Sequence, residues 1–158
     1  MESFVKKISK ILEVICVILF AAIVLLGTYQ IVVRYVFNSP STVSEELLTY
    51  LFTWLALLSG ALVFENREHM RMSFIADKVK GKKKIVLEIF CEVVVLLFMA
   101  FVMVYGGINI TILTNAQVTA SLGIPMSIIY AIIPVSGVLA IIFNCSNIIK
   151  LVRKFKEV

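Results

Sequence analysis

The chain has 158 residues, of which 61% are hydrophobic and 16% charged, with a formal net charge of +5. An average soluble domain is roughly 25% charged, so too little polar surface exists here for a water-soluble fold. The charges also leave three long gaps, at 14–33, 47–64 and 93–149, which excludes a cytosolic enzyme, a nucleic-acid binder and a secreted disulfide scaffold.

A helix needs about 20 apolar residues to cross a hydrocarbon core about 30 Å thick. The gaps hold one, one and two crossings, which predicts spans over 12–33, 47–65, 88–113 and 127–149. The spans must be helical, because the bilayer core offers no water to unpaired backbone groups. The fold class is therefore an all-α integral membrane protein, one four-helix domain over residues 1–158.

Span 1 starts with Lys6, Lys7 and Lys10 and ends in Gln30, Arg34 and Tyr35. Its apolar run is too long for a signal peptide and no small-residue cleavage site follows, so it reads as a permanent anchor. Asn38-Ser-Pro40 is a turn. Thr42-Val-Ser-Glu45 fits a capping box with Thr42 as the N-cap. Glu45 and Glu46 fall at the positive end of the span 2 dipole. With Arg34 they form the charged group of this corner, closing the loop between spans 1 and 2 or facing a partner. Ser59-Gly60-Ala61, Gly106-Gly107 and Ser136-Gly137 are small residues suited to close helix packing.

After span 2 comes the only histidine, His69, best read as a surface or headgroup-contacting residue. Met72, Ile75, Ala76 and Val79 recur at i, i+3, i+4 and i+7 among charges. That predicts a short amphipathic helix over 70–80 lying on the membrane surface, ended by Gly81. Glu13, Glu88 and Glu92 can sit at the inner interface near Lys10 or Lys84. Gly123-Ile-Pro125 restarts the chain into span 4, and Pro134 kinks it. Cys16, Cys91 and Cys145 lack paired spacing and read as small hydrophobes.

The basic residues fix the orientation. Three precede span 1, one lies between spans 1 and 2, seven between spans 2 and 3, none between spans 3 and 4, and four follow span 4. This bias places both termini and the middle loop in the cytoplasm. The positive charge then marks contact with phospholipid at the inner leaflet, not nucleic acid.

Arg34-Tyr-Val-Phe-Asn-Ser-Pro40, Ser44-Glu45-Glu46, Tyr50-Leu-Phe-Thr-Trp54, Gly60-Ala61 and His69, followed by Leu122-Gly-Ile-Pro125-Met and Tyr130-Ala-Ile-Ile-Pro134, resemble one family. It is the small membrane subunit (DctQ type, Q subunit) of tripartite ATP-independent periplasmic (TRAP) transporters. The chain departs from the family pattern at Val43, where a Trp is usual, and at Thr49, where an Arg often stands. The resemblance implies a non-catalytic subunit without a cofactor, in the bacterial cytoplasmic (inner) membrane. It implies two protein partners: a large multi-helix membrane subunit (DctM type) that binds sodium, and an extracytoplasmic solute-binding protein (DctP type) that delivers an organic acid. By the same analogy Arg34, Ser44, Glu45 and Glu46 are docking or structural residues, and Trp54 and Gly60 pack span 2. His69 marks the turn into the interfacial helix, and Pro125 and Pro134 shape the start of span 4. The charged tail after span 4 reads as a chain end, with the large subunit a separate polypeptide. The alternative is a stand-alone small proton-coupled multidrug exporter, which needs a carboxylate deep in a span and has Glu13 as its candidate.

Overall fold

The structure, a computed structural model, describes residues 2–65 and 82–157. Helix α1 covers Glu2–Tyr35 and α2 Thr42–Val63. Helix α3, Lys82–Phe98, runs straight into a π-helical stretch, Met99–Gly106, and then α4, Gly107–Leu113. After a loop come α5, Met126–Tyr130, and α6, Ile132–Glu157. Among the described residues the β structure is one isolated antiparallel bridge, Val118 with Pro125.

Among the described residues four apolar segments are long enough to cross a membrane: Phe4–Tyr35, Thr42–Val63, Ile85–Leu113 and Met126–Arg153. They match the four predicted spans. The helices start before the predicted spans do, where the flanking residues are charged but still good helix formers, and spans 1 and 4 also end later, while α2 ends at Val63, two residues short of its predicted end. Helix α1 has 34 residues and is about 51 Å long at 1.5 Å per residue, well beyond the hydrocarbon thickness. Below, the end carrying the 36–41 and 114–125 loops is called outer, following the charge bias.

The spans pack as a row. Helix α1 lies against α2, α2 against α6, and α6 against α3 and the π-helical stretch, while α1 meets α6 only lightly. Span 4 is the centre of this row: 33% of its apolar window is buried, against 11% in each of the others. Met99, Ala140 and Phe143 are fully buried there, with Leu12, Leu58 and Ala61 from spans 1 and 2. The free faces of spans 1 and 3 show Ile18, Leu25, Phe90 and Phe101. Such exposure would aggregate a soluble protein. In a bilayer it costs little, since lipid tails are as apolar as Leu.

Two glycines bring spans 3 and 4 into backbone contact. A Cβ on Gly107 would lie 2.8 Å from Pro134 Cδ and 2.9 Å from Pro134 N, and one on Gly137 would lie 2.8 Å from Met103 Cβ. Both belong to the small-residue clusters that the sequence marks for packing. Gly60 does not behave this way. A Cβ there would meet nothing within 4 Å, so Gly60 makes no such close approach within this chain. Its neighbour Ala61 supplies the buried contact.

The expected kink at Pro134 takes the form of a break. Helix α5 ends at Tyr130, and Pro134 sits in the first turn of α6, where its missing N–H is an unsatisfied donor position in any case. The ladder resumes with Val135 N–H donating to Ala131 O at 3.3 Å. His69 and the amphipathic segment with Met72, Ile75, Ala76 and Val79 lie outside the described residues.

Candidate functional site

The outer corner is assembled from the end of α1, the start of α2 and the 114–125 loop. Helix α1 stops where Asn38 takes a left-handed φ of 50°, a conformation that asparagine tolerates better than most residues. Ser39 N–H then reaches back to Val33 O at 3.2 Å. Helix α2 starts one residue earlier than predicted. Its N-cap is Ser41, not Thr42: Ser41 Oγ accepts from Ser44 N–H at 3.4 Å, and Ser44 Oγ donates to Ser41 O at 2.9 Å. Ser44 thus takes the position three after the cap, as its burial shows. Glu45, expected there, lies one residue too far along and turns outward.

The two adjacent carboxylates divide their work. Glu45 Oε1 lies 3.9 Å from Arg34 Nη1, with both side chains 57% exposed. This loose surface pair bridges α1 and α2 and contributes little energy. Glu46 faces the other way, into the 114–125 loop. Its carboxylate accepts backbone N–H groups from Ala120 at 3.1 Å, Ser121 at 2.7 Å and Leu122 at 3.0 Å. Tyr50 Oη donates to Glu46 Oε1 at 2.6 Å. One carboxylate therefore satisfies three consecutive main-chain donors, and charge-assisted bonds of this kind are the strong ones.

The loop has its own internal ties. Gly123 adopts a φ of +65°, which a Cβ would disfavour. The turn closes with Thr119 N–H to Ile124 O at 2.9 Å and Ile124 N–H to Thr119 Oγ1 at 3.1 Å, and Thr119 is buried. Pro125 is the N-cap of α5, and Met126 N–H donates to Gln117 O at 2.8 Å. Trp54 secures the next level. Its indole Nε1–H donates to Ile129 O at 3.2 Å, on the short helix just before the break in span 4. The tryptophan is thus a tie between spans 2 and 4.

The inner end is held by side chains from several helices. Ser9 Oγ donates to Glu65 Oε2, and Asn147 Nδ2 donates to Phe64 O at 2.6 Å. Burial raises the Glu65 carboxyl above its usual range, the charge of Glu13 adds to this, and Lys150 and Lys6 oppose it. Deeper in, Asn144 Nδ2 donates to Glu92 Oε2, with Asn144 fully buried and Glu92 9% exposed. Glu92 is therefore part of the contact between spans 3 and 4, not simply an interfacial charge. Glu88 Oε1 and Asn144 Oδ1 are buried without a donor among the described residues. Glu13 makes no ion pair with Lys10 among the described residues. Its charge acts on Glu65 instead.

No group of His, Cys, Asp and Glu among the described residues could hold a metal ion. The polar side chains described above cap a helix, shape the 114–125 loop, or tie one span to another. A row of four helices long and apolar enough to cross a membrane defines a multi-pass membrane protein. Residues 23–154 match the family of tripartite ATP-independent periplasmic transporters, DctQ component, and the chain belongs to that family. It is a transporter membrane subunit of the bacterial inner membrane and not an enzyme.

The relatives agree. The chain is 31% identical to the sialic acid TRAP transporter small permease protein SiaQ of Vibrio cholerae, over 94% of this chain and 85% of that protein. It is 27% identical to a TRAP transporter small permease protein of Haemophilus influenzae, over 88% of this chain and 86% of that one. It is also 29% identical to the sialic acid TRAP transporter permease protein SiaT of Haemophilus influenzae, over 85% of this chain but 22% of that protein.

Proposed function

We propose that this chain is the non-catalytic small membrane subunit of a sodium-coupled, binding-protein-dependent TRAP transporter for an organic acid. It packs on the large membrane subunit and stabilises the stationary part of the complex. Sodium and substrate bind the large subunit, and an extracytoplasmic solute-binding protein delivers the substrate. Both termini face the cytoplasm.

The observation that carries this reading is the row of spans. Helices arranged side by side, with polar groups engaged between neighbours, present broad apolar faces to another membrane protein. A transport domain that moves through the bilayer needs a part that stays still, and a row of helices widens that part. The SiaT relative supports the pairing with a larger permease, because the segment similar to this chain is 22% of its length. Two relatives named for sialic acid, itself a carboxylate, support an acidic substrate. The exporter alternative finds no support in the family assignment. Its candidate carboxylate, Glu13, is exposed on α1 near the inner end, not enclosed among spans.

The test is to extract the tagged chain from native membranes in mild detergent and identify what co-purifies. A large polytopic protein in near-equal amount is the expected result. Vesicles containing that protein and the binding protein should take up substrate only when this chain is added. Uptake at the full rate without it would overturn the stabilising role.

A further inference from the structure

The inner half of the seam between spans 3 and 4 holds polar atoms that packing alone does not explain. Asn144 is fully buried and its Nδ2 donates to Glu92 Oε2, yet its Oδ1 has no donor among the described residues. Glu88 Oε1 is likewise buried and without a donor. Glu88 and Glu92 are four residues apart on α3, so they share a face one turn apart. The amide of Asn144 is aimed at that face from span 4. Counted from Ile85, where the apolar segment begins, Glu88 lies about 4.5 Å along the helix and Glu92 about 10 Å. These oxygens therefore sit within the inner leaflet, and the half-buried Glu88 side chain gives them a way to the inner surface.

A buried acceptor without a donor is costly, and a buried carboxylate without a countercharge is more so. Glu88 has no cationic partner among the described residues. The ion pair there joins Arg34 to Glu45 at the opposite end, and Lys6 and Lys150 act on Glu65. A water molecule would supply donors to both orphaned oxygens and leave the charge unmet. A cation meets both needs. Carboxylate and amide oxygens, with no thiolate or imidazole among them, suit a hard ion. Divalent ions take six or more oxygens, and no three of His, Cys, Asp and Glu come together here. That leaves a monovalent ion.

We propose that Glu88 Oε1 and Asn144 Oδ1 hold one small monovalent cation in this seam, beside the Glu92 carboxylate. It is a structural ion that joins spans 3 and 4, distinct from the sodium assigned above to the large subunit. The proposal does not rest on the transporter reading, and either can fail while the other stands.

The test is thermal unfolding of the full chain in a neutral detergent, followed by Trp54 fluorescence. Sodium chloride replaces choline chloride at constant ionic strength, choline being too large for the seam. Above the dissociation constant, the midpoint should rise by about 4 °C for each tenfold increase in sodium. Glu88→Gln should unfold at the same midpoint in both salts, and no lower than the unaltered chain in choline, because its amide can donate to Asn144 Oδ1. That guards against misfolding as the cause. Asn144→Ala should need more sodium for the same rise, and Glu45→Gln should respond as the unaltered chain does. Equal midpoints in the two salts would overturn the proposal and leave water as the occupant. A sodium response that survives in Glu88→Gln, or is unchanged in Asn144→Ala, would overturn it too. So would an equal loss in Glu45→Gln, which would show general screening of carboxylates. A rise on acidification with none from sodium would assign the seam a proton and overturn it as well.

Discussion

The two ends of the molecule solve the same problem by different means. At the outer end, one carboxylate gathers consecutive main-chain donors, and a loop about seventy residues away in sequence takes its shape from Glu46. At the inner end, helices are tied pairwise: Ser9 to Glu65, Asn144 to Glu92, and Asn147 to the Phe64 carbonyl. The outer arrangement concentrates order on one side chain. The inner one spreads it over several, so that no single loss releases the whole end.

That contrast is open to a direct attack. Glu46→Ala should have the largest effect, since it leaves three backbone N–H groups and the Tyr50 hydroxyl without their acceptor. Amide exchange at Ala120, Ser121 and Leu122 should rise by about a hundredfold, with α3 and α6 unaffected. Unchanged protection would mean that the loop's own bonds suffice. Asn144→Ala should lower stability by about 2 kcal/mol in thermal unfolding, because it leaves Glu92 buried without that donor. The outer loop should keep its protection in this variant.

Gly107→Ala tests the contact between spans 3 and 4. The added methyl meets the Pro134 ring and backbone, an overpacking worth about 1–3 kcal/mol. Gly60→Ala should stay within about 0.5 kcal/mol in the isolated chain, and a defect seen only in the assembled transporter would place Gly60 against another subunit. Glu65 gives the inner end a pH dependence. Its folded carboxyl titrates above the usual 4.5, so the unfolded chain ionises first as pH rises, and stability falls through that window. Glu65→Gln should therefore stabilise at about pH 7 and do nothing at about pH 4. The smallest effect belongs to Arg34→Gln. The pair with Glu45 is long and exposed, and its loss should stay below about 0.5 kcal/mol. A larger loss of transport than of stability would give Arg34 a partner outside this chain.

The spans were legible because charge is expensive in a bilayer, and its absence over 14–33 or 93–149 leaves no other reading. The helix start at Ser44, Glu45 and Glu46 was legible too, though off by one residue: Ser41 and Thr42 are equally good caps in sequence. The division between Glu45 and Glu46 was not. Which of two adjacent carboxylates faces a loop more than seventy positions away depends on how spans 2 and 4 meet, and no local pattern records that. The same holds for Asn144 and Glu92, which look scattered along the chain and meet across it. Gly60 and Gly107 look alike as letters. Only the neighbouring backbone distinguishes a glycine that is needed for contact from one that is merely present.

The π-helical stretch of span 3 has a consequence for how this protein can change length. Its wider turns separate two α-helical parts of the span, and Gly107, the first residue of the second part, lies against Pro134. A π-helical turn closes on the fifth residue along, where an α-helical turn closes on the fourth. Deleting a single residue between Met99 and Gly106 would therefore let the stretch close into ordinary α-helix, and Gly107 would keep its place against the proline. The same deletion within 107–113 would have no slack to draw on and would turn all that follows by about 100°. The wide turns are thus a spare residue held in the middle of the span.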